Sequence, residues 1–204
     1  NLKMNCLAIE TSTNICSVAL FENKKMITIE EIDIPKSHSK ELGKMIENLF
    51  KQSNIEINSI DFIAISSGPG SFTGLRIGSS LAKGIAFALE LPLVLVPTLQ
   101  ALEYKLNIDE KHIIGLHSHK DKIYVQNFKN KIVFDDVRLV SISDLEDKVI
   151  YGYGLKEINK TIKYNEIKPS AELIGRLAFK NLDKWLIKDL SEAKLNYITN
   201  LNIN

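Results

Sequence analysis

Arginine is nearly missing from this chain. Arg76, Arg138 and Arg176 are the only three, and lysine supplies the rest of the positive charge. Planar, bidentate recognition of phosphate or guanine favours arginine, so a large direct footprint on tRNA or DNA is not expected. The formal net charge is only +1, with about −1 over the first hundred residues and +2 over the remainder. Neither half is a basic nucleic-acid module. Cysteine is just as scarce. If residues 5–10 and 15–20 form a hairpin around Thr11–Asn14, Cys6 is expected opposite Ala19 and Cys16 opposite Ile9. Two thiols placed that way do not pair, and free thiols suit a reducing compartment.

Long apolar runs are also absent. The longest uncharged apolar stretch, Leu91–Leu102, is broken by Pro92 and Pro97 and is too short to cross a bilayer. Glu10 interrupts the apolar run after Met4, so no signal-peptide pattern is read. Asn1–Lys3 precede a methionine start at Met4 and are read as either a native extension or a remnant. The expectation is a cytoplasmic protein with no membrane contact.

What is present is a patterned α/β chain. With 204 residues, 45% of them hydrophobic, there is enough for one large domain or two small lobes. Residues 6–10, 15–21 and 26–33 read as three strands separated by turns at 11–14 and 22–24. Ser37 is placed to cap a helix whose Leu42, Met45, Ile46, Leu49 and Phe50 share one face. Residues 61–66 read as a strand, 73–89 as a helix, 93–96 as a strand, and a further helix starts near Thr98. This βββαβα order describes half of an actin/Hsp70-like (ASKHA) fold. Beyond residue 100 the order recurs more weakly, with strands at 113–116, 122–128, 131–134 and 149–151. A short helical piece at 143–147 and helices at 171–181 and 183–190 complete it. The expected organisation is a first lobe over 1–100 and a reduced second lobe over 101–204 that carries the C-terminal helices.

The strongest local signal runs from Ser66 to Gly78, a glycine-rich loop between a strand and a helix. Such a loop gathers backbone N–H groups at a helix N-terminus, a natural place for an anion. It is neither a dinucleotide fingerprint, since Thr73 stands at the third glycine position, nor a P-loop, since no Gly-Lys-Ser/Thr follows. A tight turn that packs the helix closely on the sheet is the alternative. Glu10, Thr11 and Ser12 close the first strand, where a fold of this class holds phosphate. They join Gly68, Gly70 and Ser71 as the candidate nucleotide-binding set. A hairpin turn with a partly buried Glu10 is the competing reading.

The helix that follows carries Gly74, Gly78, Ala82 and Ala86 at intervals of four, a stripe without bulk. Either it packs inside its own subunit or it lets a second subunit approach closely, with Leu42, Met45 and Leu49 alongside. With Arg76, these residues make up the candidate dimer interface. Ser80-x-x-Lys83 matches an acylating signature but lies within a helix and has no partner motifs. His117, His119 and Asp121 alternate on a strand end and are read as solvated rather than metal-binding.

At Leu7–Ser12 and Gly68–Gly78 the sequence resembles the bacterial TsaB (YeaZ) family. The resemblance continues through His38-Ser39, Leu91-Pro92 and Thr98-Leu99, and downstream through Ile123-Tyr124 and Pro169–Ala171. It implies an actin-like fold and a non-catalytic subunit that dimerises with a catalytic paralogue, TsaD. The assembled enzyme would move a threonylcarbamoyl group onto the adenosine beside the tRNA anticodon, helped by a small ATPase, TsaE. In the catalytic paralogue a His-x-x-x-His pair holds a metal. Here His112, His117 and His119 have the wrong spacing, so no catalytic residue and no metal site is assigned. No cofactor is required, ATP or ADP binding is at most weak, and the chain alone is a homodimer candidate. A small nucleotide-dependent kinase or ATPase is the other function considered. The family's Asp-Ala-Arg reads His117-Ser118-His119 here, and its Pro-x-Tyr-Leu-Arg reads Leu195–Thr199.

Overall fold

The computed structural model describes residues 3–35, 37–145, 148–156, 162–196 and 198. Tyr197, Thr199 and the 146–147 end of the expected short helix lie outside the described residues. Strand β1 (Asn5–Glu10) is buried at every position, and so is β4 (Phe62–Ser66). Both therefore read as continuous apolar runs, the mark of strands covered on both faces. They pair in parallel, Cys6 opposite Phe62 through Ile9 opposite Ile65. β2 (Ile15–Glu22), β3 (Lys25–Asp33) and β5 (Leu93–Val96) extend the sheet, and only edge strand β3 alternates in exposure.

Two helices cover one face of this sheet. α1 (His38–Gln52) and α2 (Phe72–Ala88) bury Leu42, Met45, Leu49, Ala82 and Ala86 against Leu7, Ile9, Val18 and Ile63. Ser37 does not cap α1. It adopts a helical conformation and its hydroxyl donates back to the Ile34 carbonyl at 2.7 Å. The opposite face is covered by α4 (Ala171–Lys180), whose Ala171, Ile174 and Ala178 pack on Cys6, Ala8, Phe21 and Phe62. Phe179 meets the Phe62 ring edge-on, centroids 5.1 Å apart. Gly175 is needed there, because any Cβ would strike the Phe21 ring.

The second sheet runs β11-β10-β6-β7-β8, with β9 also paired to β7. Its strands are β6 (His112–His119), β7 (Lys122–Lys129), β8 (Ile132–Val133), β9 (Arg138–Ser141), β10 (Val149–Tyr153) and β11 (Lys163–Glu166). The two-lobed actin/Hsp70-like α/β architecture is present, and the second lobe is reduced. α3 (Thr98–Tyr104) is the helix laid against β6 and β7.

Three expectations are corrected. The C-terminal helices do not belong to the second lobe: α4 and the one-turn α5 (Leu182–Trp185) return to the first, and β12 (Leu186–Ile187) adds an antiparallel strand to β5. The division at residue 100 therefore does not separate two self-contained units. The helix expected over 183–190 is that single turn followed by strand, because Trp185 and Leu186 find cover against the first sheet. Finally, the first hairpin is shifted by two residues: Cys6 faces Phe21, and Glu10 faces Ser17. Local hydrogen bonds hold the wider loop, since Thr13 Oγ1 accepts from the Ile15 N–H and the Glu10 carboxylate accepts from the Ser12 N–H. Cys6 and Cys16 are both free, and they join opposite sides of the sheet. Burial pushes the Cys16 thiol up to about 12 and raises Cys6 further, so neither is a ready nucleophile.

Candidate functional site

A cleft of about 430 Å³ lies where the two sheets face each other. Four chain turns build it. The β1–β2 loop contributes Ser12, Thr13 and Asn14, and the glycine-rich loop contributes Gly70 and Ser71 at the start of α2. From the second lobe come the β6–β7 hairpin with His117 and His119, and the end of β10 with Tyr153 and Gly154.

The first-lobe wall is made by packing glycines onto one loop. The Ser71 N–H donates to the Ser12 carbonyl at 2.7 Å, and the Ser71 hydroxyl caps α2 by accepting from the Gly74 N–H at 3.2 Å. A Cβ at Gly70 would collide with the Ser12 carbonyl, at Gly74 with the Thr11 carbonyl, and at Gly78 with the Thr11 hydroxyl. The stripe therefore faces inward. It lets α2 press its first two turns onto the loop that shapes the cleft.

This corrects the proposed interface set. Gly74, Gly78, Ala82 and Ala86 are spent on internal packing, and Leu42, Met45 and Leu49 are at most 2% exposed in the same core. Of that set only Arg76 points outward, its guanidinium 3.8 Å from the centre of the Phe72 ring. The periodicity of four was legible, but it could not tell the inner face from the outer. The outer face of α2 carries a second uncharged set, Ser80, Gly84, Phe87 and Ala88, flanked by Ile77 and Leu81, which are half-buried against the core. Phe87 is 79% exposed and Gly84 has open space where a Cβ would stand.

The nucleotide-binding set is divided as well. Ser12, Gly70 and Ser71 line the cleft. Glu10 and Thr11 stand behind them, each 1% exposed. Gly68 turns to a separate cavity of about 290 Å³, where the C-terminal segment crosses it: the Asn196 N–H donates to the Ser67 carbonyl at 2.6 Å. The Glu10 carboxyl is raised above the usual carboxylate range, because burial outweighs the bonds from Ser12, Ser66 and Thr11. It braces its own turn and does not line the cleft. Among the described residues no three His, Cys, Asp or Glu side chains converge to hold an ion.

The second-lobe wall was only partly anticipated. The His117 Nε2–H donates to the Lys120 carbonyl at 3.2 Å, and His119 pairs with the Ser118 hydroxyl at 3.0 Å. Asp121 turns aside to the Ser141 hydroxyl, which lowers its carboxyl below the ordinary range. The Tyr153 hydroxyl, in the short Gly152-Tyr153-Gly154 stretch, donates to the Asp33 carboxylate at 3.2 Å, across from one lobe to the other. Burial first, then the Asp33 charge, pushes the Tyr153 phenol up to about 12. Chemically, the cleft offers hydroxyls, backbone N–H groups and two imidazoles, which suits an anionic or polar guest. Within the described residues the hydroxyl–imidazole contact it contains is the exposed pair Ser118–His119.

Comparison with known proteins places this geometry. A family model described as TsaD, tRNA N6-adenosine threonylcarbamoyltransferase, matches residues 32–174. A tRNA threonylcarbamoyladenosine biosynthesis protein TsaB from Buchnera aphidicola (subspecies Acyrthosiphon pisum) is 30% identical over 96% of this chain and 90% of that protein. The TsaB protein of Haemophilus influenzae is 31% identical over 65% of the chain, a stretch that spans 57% of its own length. The solved structure of YeaZ from Pseudomonas aeruginosa superposes with a TM-score of 0.78, covering 96% of this chain and all of that one at 24% identity.

Proposed function

The chain belongs to the TsaB (YeaZ) family, whose fold is built from a TsaD-type domain, and from that premise we propose that it is a subunit of the machinery that makes threonylcarbamoyladenosine in tRNA. The similarity along nearly the whole chain to the Buchnera protein carries this reading. The role is that of a non-catalytic partner, which dimerises with a TsaD-like paralogue and supports its transfer of threonylcarbamoyl onto tRNA in the cytoplasm. A TsaE-like ATPase serves the same assembly. The absence of a convergent metal-ligand group among the described residues, and the burial of Glu10 away from the cleft, are consistent with that role. No helix is long and apolar enough to cross a membrane. The kinase or ATPase alternative gains no support. The cleft is proposed to take ATP or ADP weakly at most, since only Ser12, Gly70 and Ser71 of the expected set reach it.

The partner contact still involves α1 and α2, but through their outward faces. An exposed helix face is ordinarily charged, whereas Ser80, Gly84, Phe87 and Ala88 are not. Gly43 on α1 and Gly84 on α2 both leave room for another helix backbone to come close. The test is to purify the chain with its candidate TsaD-like partner and measure tRNA threonylcarbamoylation by the pair and by each protein alone. Activity is expected only from the assembly. Transfer by this chain alone, or an assembly no more active than the paralogue by itself, would overturn the reading.

A further inference from the structure

The far edge of the second sheet carries an unexplained patch. β7 turns into β8 through Asn130 and Lys131, both at positive φ of 53° and 61°, the tight hairpin turn that suits the sheet twist. Ile132, Val133 and Phe134 leave this turn 68%, 38% and 57% exposed. Ile132 and Val133 form the outermost strand of the sheet, and Phe134 follows directly after it. Lysines surround them. Lys111 holds its ammonium 4.1 Å from the centre of the Phe134 ring, and Lys129 pairs in register with Ile132.

Lys111 precedes the last pair of the β6–β7 ladder, His112 with Phe128, and Lys129 follows that pair on β7. Among the described residues Lys111, Lys129 and Lys131 form no ion pair. The nearby Asp135 carboxylate is already committed to Asn127 and Arg138. The turn itself is pinned, because the Asn130 N–H donates to the Asp109 carbonyl at 3.0 Å. Lys111 thus lies over the exposed Phe134 ring, and Lys129 and Lys131 flank the same pinned turn, with Lys131 also within electrostatic reach of Glu103.

We propose that this hairpin is a contact surface for single-stranded RNA, with Lys111, Lys129 and Lys131 meeting the phosphate backbone and Phe134 offering a face on which a base stacks. Lysine suits this task, which needs point charges along a backbone and no base-specific forks. Three contacts make a small footprint, in keeping with a chain nearly devoid of arginine. The proposal rests on the tRNA-modifying role argued above and assigns to it a surface on the opposite side of the second sheet from β10 and β11.

The experiment uses the full chain and a fluorescent, unstructured RNA of about a dozen nucleotides, followed by anisotropy over a range of salt. Three phosphate contacts predict that raising salt from about 50 to about 200 mM weakens binding roughly 20-fold. Replacing the trio together, Lys111→Gln, Lys129→Gln and Lys131→Gln, should weaken binding and flatten that dependence. All three are exposed, so the melting temperature should hardly move. Phe134→Ala should weaken binding about 5- to 150-fold at every salt concentration while keeping the slope. No binding at low salt, or unchanged binding by the triple variant, overturns the proposal. So does tighter, RNA-insensitive binding to anionic vesicles or to a poly-glutamate peptide. Co-purification with the TsaD-like partner is scored separately. If pairing holds while RNA binding fails, this surface is wrong and the subunit role stands. If RNA binds at the patch while pairing fails, the subunit role is the part that falls.

Discussion

Glu10 shows how much a single residue's environment can change its meaning. From the sequence it stands at the end of the first strand, in the set expected to hold a nucleotide's phosphate. In the fold its carboxyl is sealed, bonded to the Ser12 N–H and within reach of Ser66. Its acidity is weakened chiefly by burial, so the folded state holds its proton to higher pH than the unfolded chain does. The sign follows. The unfolded form ionises first, above about 4, so this residue's contribution is greatest below that point and is lost as pH rises through the folded value. Glu10→Gln keeps an oxygen to accept from Ser12 and removes the titration. Thermal melts of both proteins from acid to neutral pH should show the wild type losing stability relative to Glu10→Gln as pH rises. A difference that stays flat, or grows in favour of the wild type, would mean that the carboxylate is charged and well solvated in the fold. Glu10 was legible as a special residue in the sequence. Its role was not, because desolvation depends on the sheet, α2 and the loop closing over it.

At the scale of elements, the contrast between the two faces of α2 can be tested directly. Gly78→Leu would drive a side chain into Thr11, so it should destabilise the chain itself. Overpacking of this kind costs about 1–3 kcal/mol, and the β1–β2 loop that forms the cleft wall would shift with it. Gly84→Arg and Phe87→Glu sit on the exposed face and should leave the melting temperature nearly unchanged. Placing a charge in an apolar contact should still weaken the partner complex by about tenfold or more, equivalent to ~1.4 kcal/mol. If Gly84→Arg and Phe87→Glu pair normally while the chain stays folded, the partner docks elsewhere. The helix itself was legible from residues 73–89, because strong formers and apolar spacing agree there. Which glycine face turned inward was not, since a repeat of four identifies a stripe without saying what lies under it.

For the whole molecule, the return of the C-terminal helices decides what can fold alone. α4 covers Cys6, Ala8, Phe21 and Phe62, the second face of the first sheet. Its first N–H donates to the Ser17 hydroxyl at 2.8 Å, which in turn donates to Glu31 at 2.7 Å. A fragment ending at residue 100 would expose that apolar face, with Ala8, Phe21 and Phe62, to water. Such a fragment should be aggregated or molten, whereas the full chain should melt in one cooperative step. A well-dispersed amide spectrum from residues 1–100 would show that the first lobe is autonomous after all.

The sequence by itself determined the βββαβα order, the glycine-rich turn into α2, the separation of the two thiols and the family resemblance. Each of these is written in local spacing: periods of two and near four, turn residues, and a motif contiguous in the chain. The tertiary structure alone decided that the small-residue stripe packs inward on Thr11, that Glu10 is sealed, and that α4 completes the first lobe. It also set Tyr153 against Asp33 across the cleft, 120 positions apart in the chain. These depend on which apolar faces meet and how much water their contact removes. That is a property of distant segments brought together, and no local pattern encodes it.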